Sequence, residues 1–500
     1  MSPRSPAFMH LNAADTVGIA LRPLSAGEQA LGVVLQSDIP LGHKFAVTAM
    51  AKGEAVIKYG QIMAVATADI ASGDHVHSHN AAMSESHSDQ AAMTGRVHEP
   101  PARQSFMGYA RPDGRVGTRN FIGIMASVNC SSTVCNAIAD MANRLLLPRF
   151  PNIDGFAPIV HDQGCGMANS GEGFDTLVRV LKGYRDHPNF GGVLIVGLGC
   201  EVNQLTLYKR TEWTQERIGI FNIQDVGGSS SAVRRALELL EPICEAANLD
   251  SRSEQPVSKL MLAMQCGGSD GFSGITANPA LGVASDMLVA AGGTSILSET
   301  PEIYGAEHLL IARADAKTGQ KIRDMITWWR DYTAKNDASL DNNPSPGNKK
   351  GGLTTILEKS LGAVAKGGLS PLAGAFAYAE PIRIPGFVYM DSPGYDPVAA
   401  TGQVASGANL IAFTTGRGSC FGAKPAPSIK LASNSTLYHA MPEDMDINCG
   451  TVVDEGVSLE EMGRQIYDLL LDTASGKKTR SEDFGYGDNE FVPWKIGAVL

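Results

Sequence analysis

GVLIVGLGCE (192–201) and KLMLAMQCGGSD (259–270) each carry a short, nearly unbroken apolar run that stops at cysteine, glycine and an acidic residue. Runs of this length are expected of strands buried on both faces of a parallel sheet. Working outward, the pattern recurs in FIGIMASV (121–128), GFAPIV (155–160), TSILSE (294–299), GFVYMD (386–391) and NLIAFTTG (409–416). Amphipathic stretches of helical period stand between or after them: FDTLVRVLKGYRDH (174–187), SAVRRALELLEPICEAA (231–247) and LEEMGRQIYDLLLDTAS (459–475). This alternation predicts an α/β architecture from about Phe106 onward. The polar stretch NLDSRSEQPVSK (248–259) divides it into two α/β units, 106–255 and 256–500.

Ahead of Phe106 the pattern differs. VGIALRPL (17–24), GVVLQSDI (32–39), HKFAVTAM (43–50), AVIKYG (55–60) and IMAVATADI (62–70) are short strand-like runs separated by turns. No helical period persists among them, so residues 1–80 read as a small all-β domain. Residues 81–105 are polar, small and proline-containing, and read as a flexible linker.

Five hundred residues exceed one hydrophobic core, in keeping with several domains. The net charge of −11 argues against nucleic acid as a partner, because phosphate binding needs a basic face. No apolar stretch is long enough to span a membrane, and the first residues lack the apolar core of a signal peptide, so a cytoplasmic location is expected. In that compartment the eight cysteines read as thiols or metal ligands rather than disulfides.

The strand ends carry the chemistry. Cys130, Cys165, Cys200 and Cys266 each follow an apolar run, and Glu299, Asp391 and Arg417 end three others. In open α/β sheets ligands bind at the carboxyl ends of the strands, so these residues are expected to share one edge. Thiols gathered there suit a soft metal, with iron the natural candidate; singly, each reads rather as a small buried hydrophobe. Cys135 and Cys244 fall in helical stretches and are expected in the core.

His75, His77 and His79 alternate in GDHVHSHN (73–80), which in a strand would place them on one face. Such imidazoles can shuttle protons or bind a metal, or mark a solvated strand end; His43 is a further candidate of the same kind. QCGGSDGFSG (265–274) precedes a helical stretch, and its amides, with Ser269 and Asp270, suit a carboxylate. Lys349, Lys350 and Lys359 in 343–360, Arg417 in TTGRGS and Lys430 in PSIKLASN add cationic groups beside glycines. A nucleotide enzyme is disfavoured: the nearest approach to a dinucleotide fingerprint, Gly197 to Val202, lacks the third glycine and places Cys200 and Glu201 where the pyrophosphate should approach.

Taken together, GLGCEVNQ (197–204), CGGSDGFSGITANP (266–279), TPEIYGAEHLL (300–310), NPSPGNKKGGLTTILEKSLG (343–362), GYDPVAATGQ (394–403) and FTTGRGS (413–419) resemble the altronate/galactarate dehydratase family. LGHKFA (41–46) and HVHSHN (75–80) resemble its N-terminal SAF, or β-clip, domain. HDQGCGM (161–167), FNIQD (221–225), AVAKGG (363–368), DMDINCG (444–450) and YGDNEFVPW (486–494) are more similar to the galactarate branch. The resemblance implies a middle domain that forms a homodimer, a Rossmann-like C-terminal domain without nucleotide, and activity with iron, as ferrous ion or iron–sulfur cluster. It implies dehydration of a small sugar acid, with galactarate giving 5-dehydro-4-deoxy-glucarate. On this reading Cys165, Cys200 and Cys266 hold the metal. His43, His75, His77 and His79 supply base or acid, and Arg417, Lys430, Lys349, Ser269 and Asp270 bind substrate. A sugar-acid oxidoreductase and a non-catalytic sugar-acid binding protein are the competing readings, and altronate is the competing substrate.

Overall fold

The computed structural model describes residues 6–83, 95–209 and 217–499. The N-terminal domain is all β: a four-stranded antiparallel sheet of Phe8–Met9, Val17–Ala20, Lys44–Ala46 and His75–Val76, a hairpin, and a second sheet of Ala55–Lys58, Gln61–Ala66 and Ala81–Ala82. The domain therefore runs past residue 80, because Ala81–Ala82 pairs with Val65–Ala66. Part of the expected linker, residues 84–94, lies outside the described residues.

Strand Ser105–Ala110 leads into the middle domain and pairs antiparallel with Ser253–Pro256, which leads out of it. The polar 248–259 stretch thus contains a paired strand as well as the boundary, since its exposed face needs no apolar residues. The middle domain is a parallel sheet ordered Gly155–Ile159, Phe121–Ala126, Phe190–Gly197, Ile218–Asn222. Helices Asn129–Leu145 and Ser229–Asn248 share a core with this sheet, and buried Cys135 and Cys244 lie in it as expected. Helix Glu172–Arg185 packs on helix Asp396–Ser406 of the C-terminal domain, joining the two domains in one apolar core.

The C-terminal domain is built on seven parallel strands ordered Leu372–Phe376, Gly386–Met390, Thr294–Leu297, Met261–Cys266, Leu410–Thr415, Ser428–Ala432, Ile447–Asn448. From Met261–Cys266 the chain builds one wing through Thr294–Leu297, then crosses back to add Leu410–Thr415 on the other side. The order reverses at this central strand, which makes its carboxyl end the natural crevice. Every strand on the list of apolar runs falls in one of two sheets, so two carboxyl edges exist where one was expected. Among the described residues no helix is long and apolar enough to cross a membrane.

Candidate active site

At the switch point Cys266 ends the central strand, fully buried, and two carboxylates from the neighbouring strand's exit meet it. Cys266 Sγ lies 3.3 Å from Glu302 Oε2 and 3.8 Å from Glu299 Oε2. Among the described residues this is the one His/Cys/Asp/Glu group of three whose ligand atoms all lie within 4.8 Å of one another. Glu299 adopts φ +75°, ψ 68°, held by a hydrogen bond from its amide to Ser392 Oγ (2.9 Å). Such a left-handed non-glycine residue costs about 1–3 kcal/mol and persists where surrounding contacts enforce it. Here it turns the chain at the strand end so that Glu299 and Glu302 face the same thiol.

Two ammonium groups complete the centre. Lys359, on the wholly buried helix Ile356–Val364, donates to Glu302 Oε1 (2.5 Å) and Asn343 Oδ1 (3.1 Å), and Lys366 reaches Glu299 Oε2 (3.4 Å). Asp396 stands across Gly267: a β-carbon there would lie 2.3 Å from Asp396 Oδ2, so only glycine lets the strand end approach it. Burial pushes the Cys266 thiol up to about 12, against the pull of Lys366. Burial, then the neighbouring Glu302, holds Glu299 well above the ordinary carboxylate range. Glu302 itself is lowered, because Lys359 and Lys366 outweigh the burial that would raise it. Asp396 is raised to about 6 by burial and Glu302. Neighbouring carboxyls driven apart in this way are the mark of an acid–base site.

The donor set also fits an iron ion. One thiol sulfur and carboxylate oxygens from two residues converge, and Glu299 Oε1 is buried with no hydrogen-bond partner. An orphaned buried oxygen is costly, and a cation would satisfy it. Binding would release protons from Cys266 and Glu299, since ligands must be deprotonated.

The structure does not bring Cys165 and Cys200 to this centre. Both are exposed, on loops of the middle domain, whereas Cys266 is buried in the C-terminal sheet. Their strands belong to different sheets, so the expected trio of metal ligands is divided. The histidines, by contrast, do gather. Only His75 lies in a strand, yet the ring centroids of His43, His75, His77 and His79 stand 5.0–5.7 Å from their neighbours. The shared strand face is thus replaced by a turn at 77–79 together with His43 from the adjacent strand's entry.

That cluster faces the C-terminal domain. His43 Nε2 donates to Lys350 O (3.3 Å) and His77 Nε2 to Lys349 O (3.0 Å). Since a carbonyl can only accept, His43 carries its proton on Nε2 and its Nδ1 accepts from His75 Nε2 (3.0 Å). In neutral His75 this leaves Nδ1 with a free lone pair, the form a base requires. Burial, then the imidazoles of His43, His77 and His79, hold His75 down to about 3; burial, then Lys44, holds His77 to about 4. Both are neutral at pH 7. Segment 343–352 ties the two groups together: Asn343 donates to Glu302 Oε1 (3.0 Å), Asn348 to Ser269 O (2.8 Å), and the carbonyls of 349 and 350 accept from the histidines.

Beneath the histidines, Lys44 and Lys58 of the β domain both bond Glu358 of the C-terminal domain, at 2.9 and 2.7 Å, with all three side chains fully buried. Burial would raise Glu358, but the two ammonium groups hold it at about 2. Two ammonium groups cannot both be neutralised by one carboxylate, and Lys44 yields, lowered to about 8 by burial.

Of the expected substrate ligands, Arg417 is exposed and its Cβ lies 3.3 Å from where a β-carbon on Gly268 would stand. Lys349 sits on the short helix Pro346–Lys350, and neither cation pairs with a carboxylate among the described residues. Lys430 is buried in its strand, with Nζ 3.8 Å from Asp444 and no hydrogen-bond partner among the described residues. Asp270 is buried in the sheet's loops. Its carboxylate accepts from Phe272 N, Ser273 N, Ser273 Oγ, Ser433 Oγ and Asn434 Nδ2, so it holds loops together and has little capacity left for substrate. Ser269 is buried, its carbonyl taken by Asn348. Glu302, Lys366 and Asp396 were given no role from sequence, although each lies in a quoted motif.

Three family descriptions cover the chain in order: the altronate/galactarate dehydratase SAF domain at 6–84, the D-galactarate dehydratase/altronate hydrolase second domain at 108–248, and the D-galactarate/altronate dehydratase C-terminal domain at 257–499. The chain is 35% identical to altronate dehydratase of Bacillus subtilis (strain 168), over 99% of both chains. It is 36% identical to galactarate dehydratase (L-threo-forming) of Escherichia coli (strain K12), over 96% of both. It is 31% identical to the (2R)-sulfolactate sulfo-lyase subunit beta of Chromohalobacter salexigens, over 78% of this chain and 97% of that one. With full-length relatives and three family domains in register, the chain belongs to the altronate/galactarate dehydratase family.

Proposed function

We propose that the chain is a hydro-lyase that removes water from a sugar acid, and that its substrate is galactarate. The observation that carries the reaction is the buried Cys266–Glu299–Glu302 centre, flanked by Lys359 and Lys366 at the sheet's switch point. The pair of carboxylate-free cations, Arg417 and Lys349, supports a substrate with a carboxylate at each end. Arg417 would bind one carboxylate through its fork of donors and Lys349 the other. His75 Nδ1 would take the proton α to the bound carboxylate, giving an ene-diolate whose charge the Lys359 and Lys366 ammonium groups stabilise. Asp396 would return a proton to the departing β-hydroxyl, which leaves as water, and the enol then tautomerises to the 2-keto-3-deoxy acid. Iron held by Cys266, Glu299 and Glu302 would supply Lewis-acid charge beside that carboxylate. A cytoplasmic homodimer belongs to the same reading.

The test is an anaerobic assay with ferrous iron and no nucleotide, following 2-keto acid from galactarate and altronate in parallel. Faster turnover of galactarate is expected. Faster turnover of altronate would reverse the substrate assignment, and no keto acid from either would overturn the reaction.

His75→Gln should lower kcat/KM by about 10²–10⁴-fold with the chain still folded, the usual range for a lost general base. Because His75 titrates at about 3, its base form persists on lowering the pH from 7 to about 4. An acid limb above pH 5 must therefore come from another group and should be the same in residual His75→Gln activity. Near-normal turnover in this variant would remove His75 as the base.

A further inference from the structure

Strands Thr294–Leu297 and Gly386–Met390 are parallel neighbours, paired as far as Leu297 and Tyr389. Past that register both segments leave the sheet, yet their exits stay bonded to each other. Glu299 N donates to Ser392 Oγ (2.9 Å) and Thr300 N to Ser392 O (2.9 Å). Thr300 Oγ1 donates to Asp391 Oδ1 (2.5 Å) and accepts from Tyr389 Oη (3.0 Å). The segment 389–392 thus grips both amides and the hydroxyl of the Glu299–Thr300 pair. Behind it, Trp329 Nε1 donates to the same Asp391 oxygen (2.8 Å), and the Trp329 ring stacks on Trp494, with centroids 5.3 Å apart and planes within 1°.

These bonds act on the strained residue. At φ +75° a glycine would cost least, yet the position carries the carboxylate that faces Cys266. The nitrogens of residues 299 and 300 stand at the two ends of the Glu299 backbone torsions, so fixing both fixes the turn. The turn in turn carries Glu302, whose amide donates to Glu299 O (2.7 Å). Asp391 ends an apolar run at the sheet's carboxyl edge, and among the described residues no cation pairs with it. Burial raises its carboxyl, and the Thr300 and Trp329 donors act against that rise. One of its oxygens is thereby engaged by two neutral donors, the arrangement of an anchor.

On the reading of Cys266, Glu299 and Glu302 as the reacting centre, we infer that Thr300 and Asp391 are positioning residues for the dehydration. With Ser392 they hold the left-handed turn, so that Glu299 and Glu302 converge on one thiol. They act through Glu299. Without the Thr300 hydroxyl the turn can relax toward an ordinary negative φ, which swings both carboxylates away from Cys266. A displacement of about 1 Å at a reacting group is enough to cost about 10²-fold in rate. Trp329 backs Asp391 from the helix Ala316–Lys335, and so ties the turn to the C-terminal segment that carries Trp494.

Three full-length variants test this, each assayed on galactarate and altronate and by hydrogen exchange. Thr300→Val keeps the shape and removes the hydroxyl; kcat should fall by about 10²-fold with KM little changed. Thr300→Ser restores the hydroxyl and should recover most of that rate. Asp391→Asn keeps an oxygen that accepts from Thr300 and Trp329, and should retain most of the rate as well. In Thr300→Val the amides of 298–303 should exchange faster, while those of Thr294–Leu297 stay protected. Should that variant not fold, Ser392→Ala, which frees the Glu299 amide, takes its place with the same expectations. Exchange is read without turnover, so an unmutated chain that forms no keto acid removes the reaction and still leaves the clamp tested. Normal kcat or unchanged exchange in Thr300→Val, or an equal loss in Thr300→Ser, would overturn the assignment. A loss of about 10²–10⁴-fold in Asp391→Asn would do so too, since it marks a proton-transfer group.

Discussion

Glu358→Gln is expected to destabilise the protein by about 3–5 kcal/mol, as breaking a buried ion pair from one side does. The change is nearly isosteric, so the loss is electrostatic: Lys44 and Lys58 remain fully buried with no carboxylate between them. Because those lysines come from the β domain and Glu358 from the C-terminal domain, the weakening falls on the seam between them. Amides of Lys44–Ala46 and Ala55–Lys58 should lose hydrogen-exchange protection before those of the seven-stranded sheet. The pH dependence follows from the lowered carboxyl. Glu358 titrates at about 2 in the folded protein against an ordinary 4.5, so its contribution is present above pH 4.5 and is lost as the pH falls through 2. The size is about 3 kcal/mol, and the Gln variant should lack this part of the acid limb. A urea titration of both proteins at pH 7 and pH 3 checks it. Equal stability at pH 7 would show that the triad is replaceable.

Glu299→Gln carries the largest expected effect on activity. It removes a carboxylate that faces Cys266 and pairs with Lys366, and leaves a neutral amide in the same left-handed turn. Turnover should fall by about 10²–10⁴-fold. Ferrous-ion affinity at this centre should weaken by at least about 10-fold, because even residues behind the ligands have effects of that size. Cys266→Ser should act in the same direction, since a hydroxyl is a harder and scarcely ionised ligand. Titrating ferrous iron into the two variants beside the unmutated chain separates binding from chemistry. Unchanged affinity with lost turnover would make Glu299 a proton-transfer group alone, and normal turnover in both variants would remove the centre from the reaction.

The residues of this centre differ in how readily the sequence shows them. Cys266 and Glu299 were legible because a strand buried on both faces must be apolar throughout, so the first polar residue after it marks the carboxyl edge. Asp391 and Arg417 stood out for the same reason. Glu302, Lys366 and Asp396 lie a few residues into loops and helices, where a Lys, Glu or Asp reads as a solvated charge. Their burial depends on how helices Ile356–Val364 and Asp396–Ser406 pack over the sheet, which no local pattern records.

By itself the sequence determined the all-β start, the α/β body, the strands and the residues at their ends, since each follows from local periodicity and the run lengths a buried sheet requires. It also carried the family, through long motifs. Only the tertiary structure decided which strand joins which sheet, because buried parallel strands read alike whichever neighbour they choose. That division sent Cys266 to a carboxylate–ammonium centre and left Cys130, Cys165 and Cys200 together on another edge. It also turned Lys430 inward, saturated Asp270 and placed Lys44 and Lys58 on Glu358, from residues about 300 positions apart in the chain. Interactions of that range depend on the packing of whole domains, and their partners cannot be named from either end alone.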